Sequence, residues 1–318
     1  MKGSTATQRI AHLCQWSRWG QHFAIAAAYA ACYELTLHFS FPQWLLTAGL
    51  RLACLLLLPV RYWPALVLGE GLPLLENAIF CEPEFGARWA FMQAVPMVVL
   101  WMALLKPMRR HWSVHDTNGD LRMGLILWAT LGTSIITALS TTVRLMLALQ
   151  HAPGKWPEIV PADYFFAYLL GAYLGALTLT PMLLALHERF RALRHKPLTF
   201  AIVWRSSLFR DTVWWVLPAL AGLAWLTMAT QNDGVRLAAR LALLWPVLGL
   251  AWRHGWHGTA AGGMAASITL AVTAQGLLDP ATIRIQVLLA VSLSIALWAG
   301  ARASRASQSL TTPMSQER

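Results

Sequence analysis

The sequence predicts an all-α integral membrane protein: a polytopic helical bundle of about ten spanning segments (a range of eight to ten) with both termini cytoplasmic. Three observations carry this. Of 318 residues, 57% are hydrophobic and only 12% are charged, where a soluble domain carries roughly twice that charged fraction. The apolar residues fall into ten runs: 20–39, 43–60, 63–80, 89–105, 122–149, 163–186, 206–229, 235–252, 257–277 and 283–302. If the runs alternate sides, 18 of the 25 Lys and Arg lie on one face and five (Arg88, Lys155, Arg236, Arg240, Arg284) on the other. By the positive-inside rule the richer face is cytoplasmic. The net charge of +11 thus reports topology and no nucleic-acid partner.

Taken in order, Lys2, Arg9 and Arg18 precede an alanine-rich run that superficially resembles a signal peptide. The run 20–39 nevertheless suffices to cross a ~30 Å core at ~1.5 Å per residue, and the apolar part of a signal is usually shorter. It reads as the first helix, with 1–19 as a cytoplasmic N-terminal segment. The second and third runs meet at Arg61-Tyr62-Trp63-Pro64. Basic and aromatic residues suit a membrane–water interface, and proline is tolerated in a first helical turn. This is a tight hairpin of two spanning helices. Later, Gly171/Gly175 and Gly258/Gly262 form GxxxG pairs. Such spacing admits close helix approach; packing within the chain is the favoured reading, with a homodimer left open. The longest outer loop, Gln150 to Ala162, is proline-rich, and 304–318 reads as a disordered cytoplasmic tail.

Charges inside a membrane are expensive and mark function by default. Arg51 and Glu70 sit on the two arms of the hairpin, ~13 Å and ~10 Å from its cytoplasmic end. They read as a buried ion pair or, more sharply, as a site where Arg51 binds a ligand carboxylate or Glu70 takes a proton. Glu34, Glu76 and Arg144, with Asn77 beside them, lie ~6–8 Å from the outer helix ends. They form a second candidate ligand cluster, opening outward, or reach separately to the interface. His254 and His257 have i, i+3 spacing but no evident carboxylate neighbour, so no metal site is assigned. Scattered Cys14, Cys32, Cys54 and Cys81 give no disulfide framework. Trp44, Trp63, Trp89, Trp156, Trp204, Trp214, Trp215, Trp252 and Trp256 read as interfacial anchors, Trp225 and Trp298 as packing residues. No P-loop, GxSxG, HExxH, CxxC or dinucleotide turn is present. No catalytic residue and no cofactor is expected, and the protein does not read as an enzyme.

Four stretches resemble one family, the MASE1 membrane-associated sensor domains of bacteria. Tyr62-Trp63-Pro64 followed by Leu68-Gly69 is similar to its aromatic-Trp-Pro turn with LG. Trp44 with Ala48-Gly49 resembles its Trp-Pro-Pro-x-Gly, with Leu45 and Leu46 in place of the prolines. Leu169 to Thr180-Pro181, containing Gly171 and Gly175, resembles its WxxGDxxGxLxxTP, with Ala172 where an acid is usual. Trp245-Pro246 to Gly262 resembles its P-x-x-x-WA-x-R-x-G helix pair. The resemblance implies a transmembrane sensor domain over 20–303, without an attached output domain, in the bacterial inner membrane. It also implies a histidine kinase or diguanylate cyclase as partner, besides membrane lipid. The alternative reading is a transporter or substrate-binding membrane subunit.

Overall fold

The protein is described by a computed structural model covering residues 4–41, 43–114, 116, 121–151, 153–154, 159–192, 206–274 and 279–311. The described residues form helices throughout, apart from one isolated bridge between Phe41 and Trp44. In order these are α1 (Ser4–His38), α2 (Leu46–Leu57), α3 (Trp63–Phe85), α4 (Ala87–Ala94), α5 (Met97–His111), α6 (Met123–His151) and α7 (Pro161–Ala192). They continue as α8 (Ser207–Ala229), α9 (Asp233–Ala242), α10 (Leu244–Val272) and α11 (Pro280–Thr311). Within α8, Thr212–Val216 is wound as π-helix.

All ten apolar runs fall on helix, but not as ten equal rods. Among the described residues six helical stretches, α9 and α10 taken as one, are long and apolar enough to cross a membrane, and the bent pair α4–α5 brings the number to at most seven. The run 43–60 yields only 12 helical residues in α2, ~18 Å of rise against a ~30 Å core. Ten of those 12 residues are buried, so α2 is a short central helix. The run 235–252 covers α9 and the first part of α10; the chain then reverses at Gly255, whose φ of 60° and ψ of −143° suit glycine alone, so the run that starts at 257 returns as a separate arm, the turn that alternating runs imply. After the reversal Gly262 packs on Val247, and Gly258 on the backbone of Leu250. The run 89–105 is broken at Val95–Pro96, where proline cannot continue the hydrogen-bond ladder, and the chain bends by 43°.

Both ends of the chain depart from expectation. Residues 4–19, expected as a separate segment, are the first turns of α1, and residues 304–311, expected as disordered tail, continue α11. The loop containing Lys155, Trp156 and Glu158, the basic loop with His195 and Trp204, and residues 312–318 lie outside the described residues.

The centre is the contact of α2 with α7. Trp44 is buried and donates its indole N–H to Thr178 Oγ1 at 3.1 Å. The Leu45 amide donates to the Gly171 carbonyl at 3.0 Å, and Thr180 Oγ1 to the Gly49 carbonyl at 3.0 Å. Gly49 and Gly175 meet backbone to backbone, with no room for a side chain at either. Both glycine pairs noted in the sequence therefore pack within this chain. Ser40 joins α1 to α2: its Oγ donates to the Thr36 carbonyl at 2.6 Å and accepts from the Leu46 amide at 3.0 Å. At the other end, Arg109 Nη1 donates to the carbonyls of Leu55 and Leu58 at 2.6 and 2.8 Å, covering acceptors a helix end leaves open.

The tryptophans are redistributed. Trp63 and Trp256 are buried like Trp44, so these three are core residues and not anchors, while Trp225 is 71% exposed and does not serve packing. Arg240, expected on the outer face, is 2% exposed and bonded to Asp279, Thr282 and the Thr273 carbonyl.

Gly175→Val is expected to destabilise the protein by about 1–3 kcal/mol or more through overpacking against α2. Gly124→Ala, with open space around the position, is expected to stay within about 0.5 kcal/mol of the parent. Denaturation of the purified chain in detergent reads both.

Candidate functional site

The hairpin of α2 and α3 brings Arg51 and Glu70 face to face. Arg51 Nε and Nη2 each donate to a different Glu70 oxygen at 2.9 Å, a two-pronged pair. Arg51 is 4% exposed and Glu70 fully buried. Two further donors complete the carboxylate: Tyr29 Oη at 3.2 Å and the Met97 amide at 2.8 Å. That amide is free because Pro96 breaks the helix and α5 begins anew at Met97. A helix N-terminus is also where a carboxylate is favoured electrostatically. The Arg51 guanidinium lies 4.9 Å from the ring centre of Trp101 and 5.9 Å from that of Tyr33. Of the two readings of Arg51 and Glu70, the structure bears out the buried pair.

Arg144 on α6 is held differently. Nη1 donates to Gln93 Oε1 at 3.0 Å and Nη2 to the Val95 carbonyl at 3.1 Å, an acceptor left open by the same helix break. Nε is buried without a partner. Among the described residues no carboxylate lies within ion-pair distance of Arg144. Gln93 Nε2 in turn donates to Asn77 Oδ1 at 3.2 Å.

The two clusters expected from sequence are one site. A cavity of about 720 Å³ is lined by Arg51, Glu70, Glu76, Asn77, Arg144 and Glu34 together. Glu34, Glu76 and Asn77 are exposed, and neither glutamate forms an ion pair among the described residues. Tyr33, Thr47, Thr137, Thr141 and Tyr168 add hydroxyl groups, and Phe80, Phe85 and Trp89 an aromatic wall. Sequence reasoning missed Gln93. Its signal was present: it is the one amide within the apolar run 89–105.

The motif residues serve this site from outside it. Trp44, Gly49, Gly171 and Gly175 seat α2 on α7, and Pro181 is buried in α7 just beyond Thr180. Tyr62, Trp63 and Pro64 open α3: Tyr62 Oη donates to Gln21 Oε1 at 3.1 Å, and Trp63 lies under the Arg109 guanidinium. Gly69 lets α3 approach the Ala26 backbone of α1, one residue before Glu70. Ala172 is fully buried and does not line the cavity. The histidines need correction. His254 Nε2 lies 2.9 Å from Asp211 Oδ2, and His257 Nε2 lies 3.4 Å from Glu188 Oε2, so both have the carboxylate neighbours the sequence did not reveal.

Breaking the buried pair from one side leaves an uncompensated charge. Arg51→Met or Glu70→Leu alone is expected to lower stability by about 3–5 kcal/mol, and the double substitution to recover at least half of the summed loss. A double-mutant cycle on denaturation in micelles measures the coupling; additive losses would contradict the pairing.

Comparison with known proteins returns one family. The MASE1 family model matches residues 21–307, nearly the whole chain. No curated protein and no solved structure matches. With its buried polar centre inside a bundle of apolar helices, the chain belongs to the MASE1 family of membrane-associated sensor domains.

Proposed function

We propose that this chain is the ligand-binding sensory module of a bacterial signalling system in the inner membrane. In this reading all ten runs form a membrane-embedded bundle with both termini cytoplasmic, and the module is not itself catalytic. A small molecule bearing an anionic group enters the polar cavity and binds Arg144. The single observation that carries this is Arg144 itself: a half-buried cation, held by neutral acceptors and with no carboxylate partner among the described residues. Arg51 is satisfied by Glu70 and offers a ligand less.

The coupling follows from what Arg144 holds. Its two bonds end on Gln93, in the last turn of α4, and on Val95, at the α4–α5 break itself, and the first amide of α5 holds Glu70. An anion that draws Arg144 away from these acceptors alters the break and, through Met97, the packing of α2 and α3. A ligand shifts such an equilibrium only by its differential affinity for the two arrangements. The output is α11, packed on α10 and α7, acting on a separate histidine kinase or diguanylate cyclase. A kinase or cyclase encoded beside this chain would favour that pairing.

A second reading, a transporter or substrate-binding subunit, draws support from the broken helix at the cavity, a feature transporters use. Uptake of a labelled solute by proteoliposomes containing this chain alone would select it.

The test is a thermal-shift screen of the purified chain against small carboxylates and phosphate esters. A hit is expected to bind wild type and to lose about 10- to 100-fold in affinity on Arg144→Gln, the size of a charge-assisted hydrogen bond. Undiminished binding by the variant would overturn the role of Arg144. Reporter fusions at each terminus are expected to place both in the cytoplasm.

A further inference from the structure

A second cavity lies on the far side of α6 and touches none of the polar groups above. It measures about 1060 Å³ and runs between α5, α6 and α11. Its walls are apolar, with Leu104, Leu131 and Ile135 among them. Gly132 keeps it wide, since an added Cβ would come within 2.7 Å of the Leu104 side chain. A further apolar cavity of about 460 Å³ between α7 and α11 borders it at Leu131.

Only one end of the groove is charged. Arg122 and Arg302 line it together with His111, and among the described residues no carboxylate does. Asp116 accepts from Arg122 Nη2 at 3.1 Å, and the Arg302 guanidinium sits 4.1 Å from the ring centre of Trp298. Among the described residues, two arginines stand against one aspartate at that end, which leaves them net positive. Along α6, the distance from Arg122 to Ile135 is ~20 Å of rise, against ~15 Å for half of a bilayer core. The groove therefore starts at a cationic boundary and runs apolar past the depth of one leaflet. Trp128, 73% exposed, flanks it.

We infer that this groove is a binding site for an anionic phospholipid, its acyl chain lying along α6 and its phosphate held between Arg122 and Arg302. Basic pockets between spanning helices at the cytoplasmic surface suit such headgroups. Because α11 forms one wall, the lipid sits against the helix that leads out of the bundle. The inference does not rest on the ligand cavity.

Native mass spectrometry of the full chain tests it, with phosphatidylglycerol and phosphatidylcholine of matched chains offered at equal concentration. One phosphatidylglycerol is expected to be retained at least 5-fold over phosphatidylcholine. Arg302→Gln, at an exposed rim position, is expected to reduce that retention about 5- to 10-fold, and Gly132→Leu, which fills the groove, to remove both lipids. Arg302→Gln stays readable if the glycine variant does not fold. Equal retention of the two lipids, or retention insensitive to Arg302→Gln, would overturn the site. So would displacement of the lipid by inorganic phosphate alone, which marks a bare anion site. Quantitative cross-linking from Trp128→Cys to a second copy would show the groove covered by protein instead.

Discussion

One carboxylate ties four helices together. Glu70 on α3 receives Arg51 from α2, Tyr29 from α1 and the first amide of α5, each in a direct hydrogen bond. Burying a carboxylate among apolar helices is costly unless each lone pair finds a donor and the charge finds an opposite. Here every direction is filled, so the helices cannot be shifted independently. A hydrophobic pair of similar volume would hold the bundle as well or better. What the ion pair adds is one required geometry, reachable only when α2 is central and the fourth apolar run is broken at Pro96.

The rest of the fold secures those two conditions. α2 is too short to cross a membrane and reaches the centre through glycine: Gly49 against Gly175, with Trp44 and Leu45 bonded to α7 just above. Gly69 brings α3 to α1 one residue before the carboxylate. Arg109 covers the last carbonyls of α2 from α5. The same break that frees the Met97 amide for Glu70 frees the Val95 carbonyl for Arg144, so a single discontinuity serves both the rigid pair and the available cation. The motif residues of the family are thus packing devices that place polar groups they do not touch.

Much of this was legible in the sequence. Composition and charge asymmetry give a membrane bundle, and charges at matching depth on a hairpin give the Arg51–Glu70 contact, because a tight turn fixes the register of its two arms. Glu34, Glu76, Asn77 and Arg144 were recognisable as a cluster by depth alone. That they share one cavity with the pair was not legible, because depth says nothing of which helix faces which. Hydropathy also misjudged length: 43–60 reads as one spanning run around Arg51, yet its α-helix is only Leu46–Leu57. The reversal at Gly255 was legible as the gap between the runs 235–252 and 257–277; which residue makes the turn rests on its dihedral angles. Alternating the runs placed Arg240 on the outer side and said nothing of its burial, which depends on Asp279 and Thr282, some forty residues away.

The central claim is that lipid surrounds the bundle while its polar groups converge on one water-accessible cavity opening outward. Thiol labelling in intact membranes tests this most directly, in a chain whose native Cys14, Cys32, Cys54 and Cys81 are replaced. Asn77→Cys and Thr141→Cys line the cavity, whereas Leu139→Cys lies on the exposed apolar side of α6. The account predicts that a membrane-impermeant maleimide added from the outer side modifies the first two and spares the third. Labelling of Leu139→Cys at a comparable rate, or no reaction at either cavity position, would contradict it.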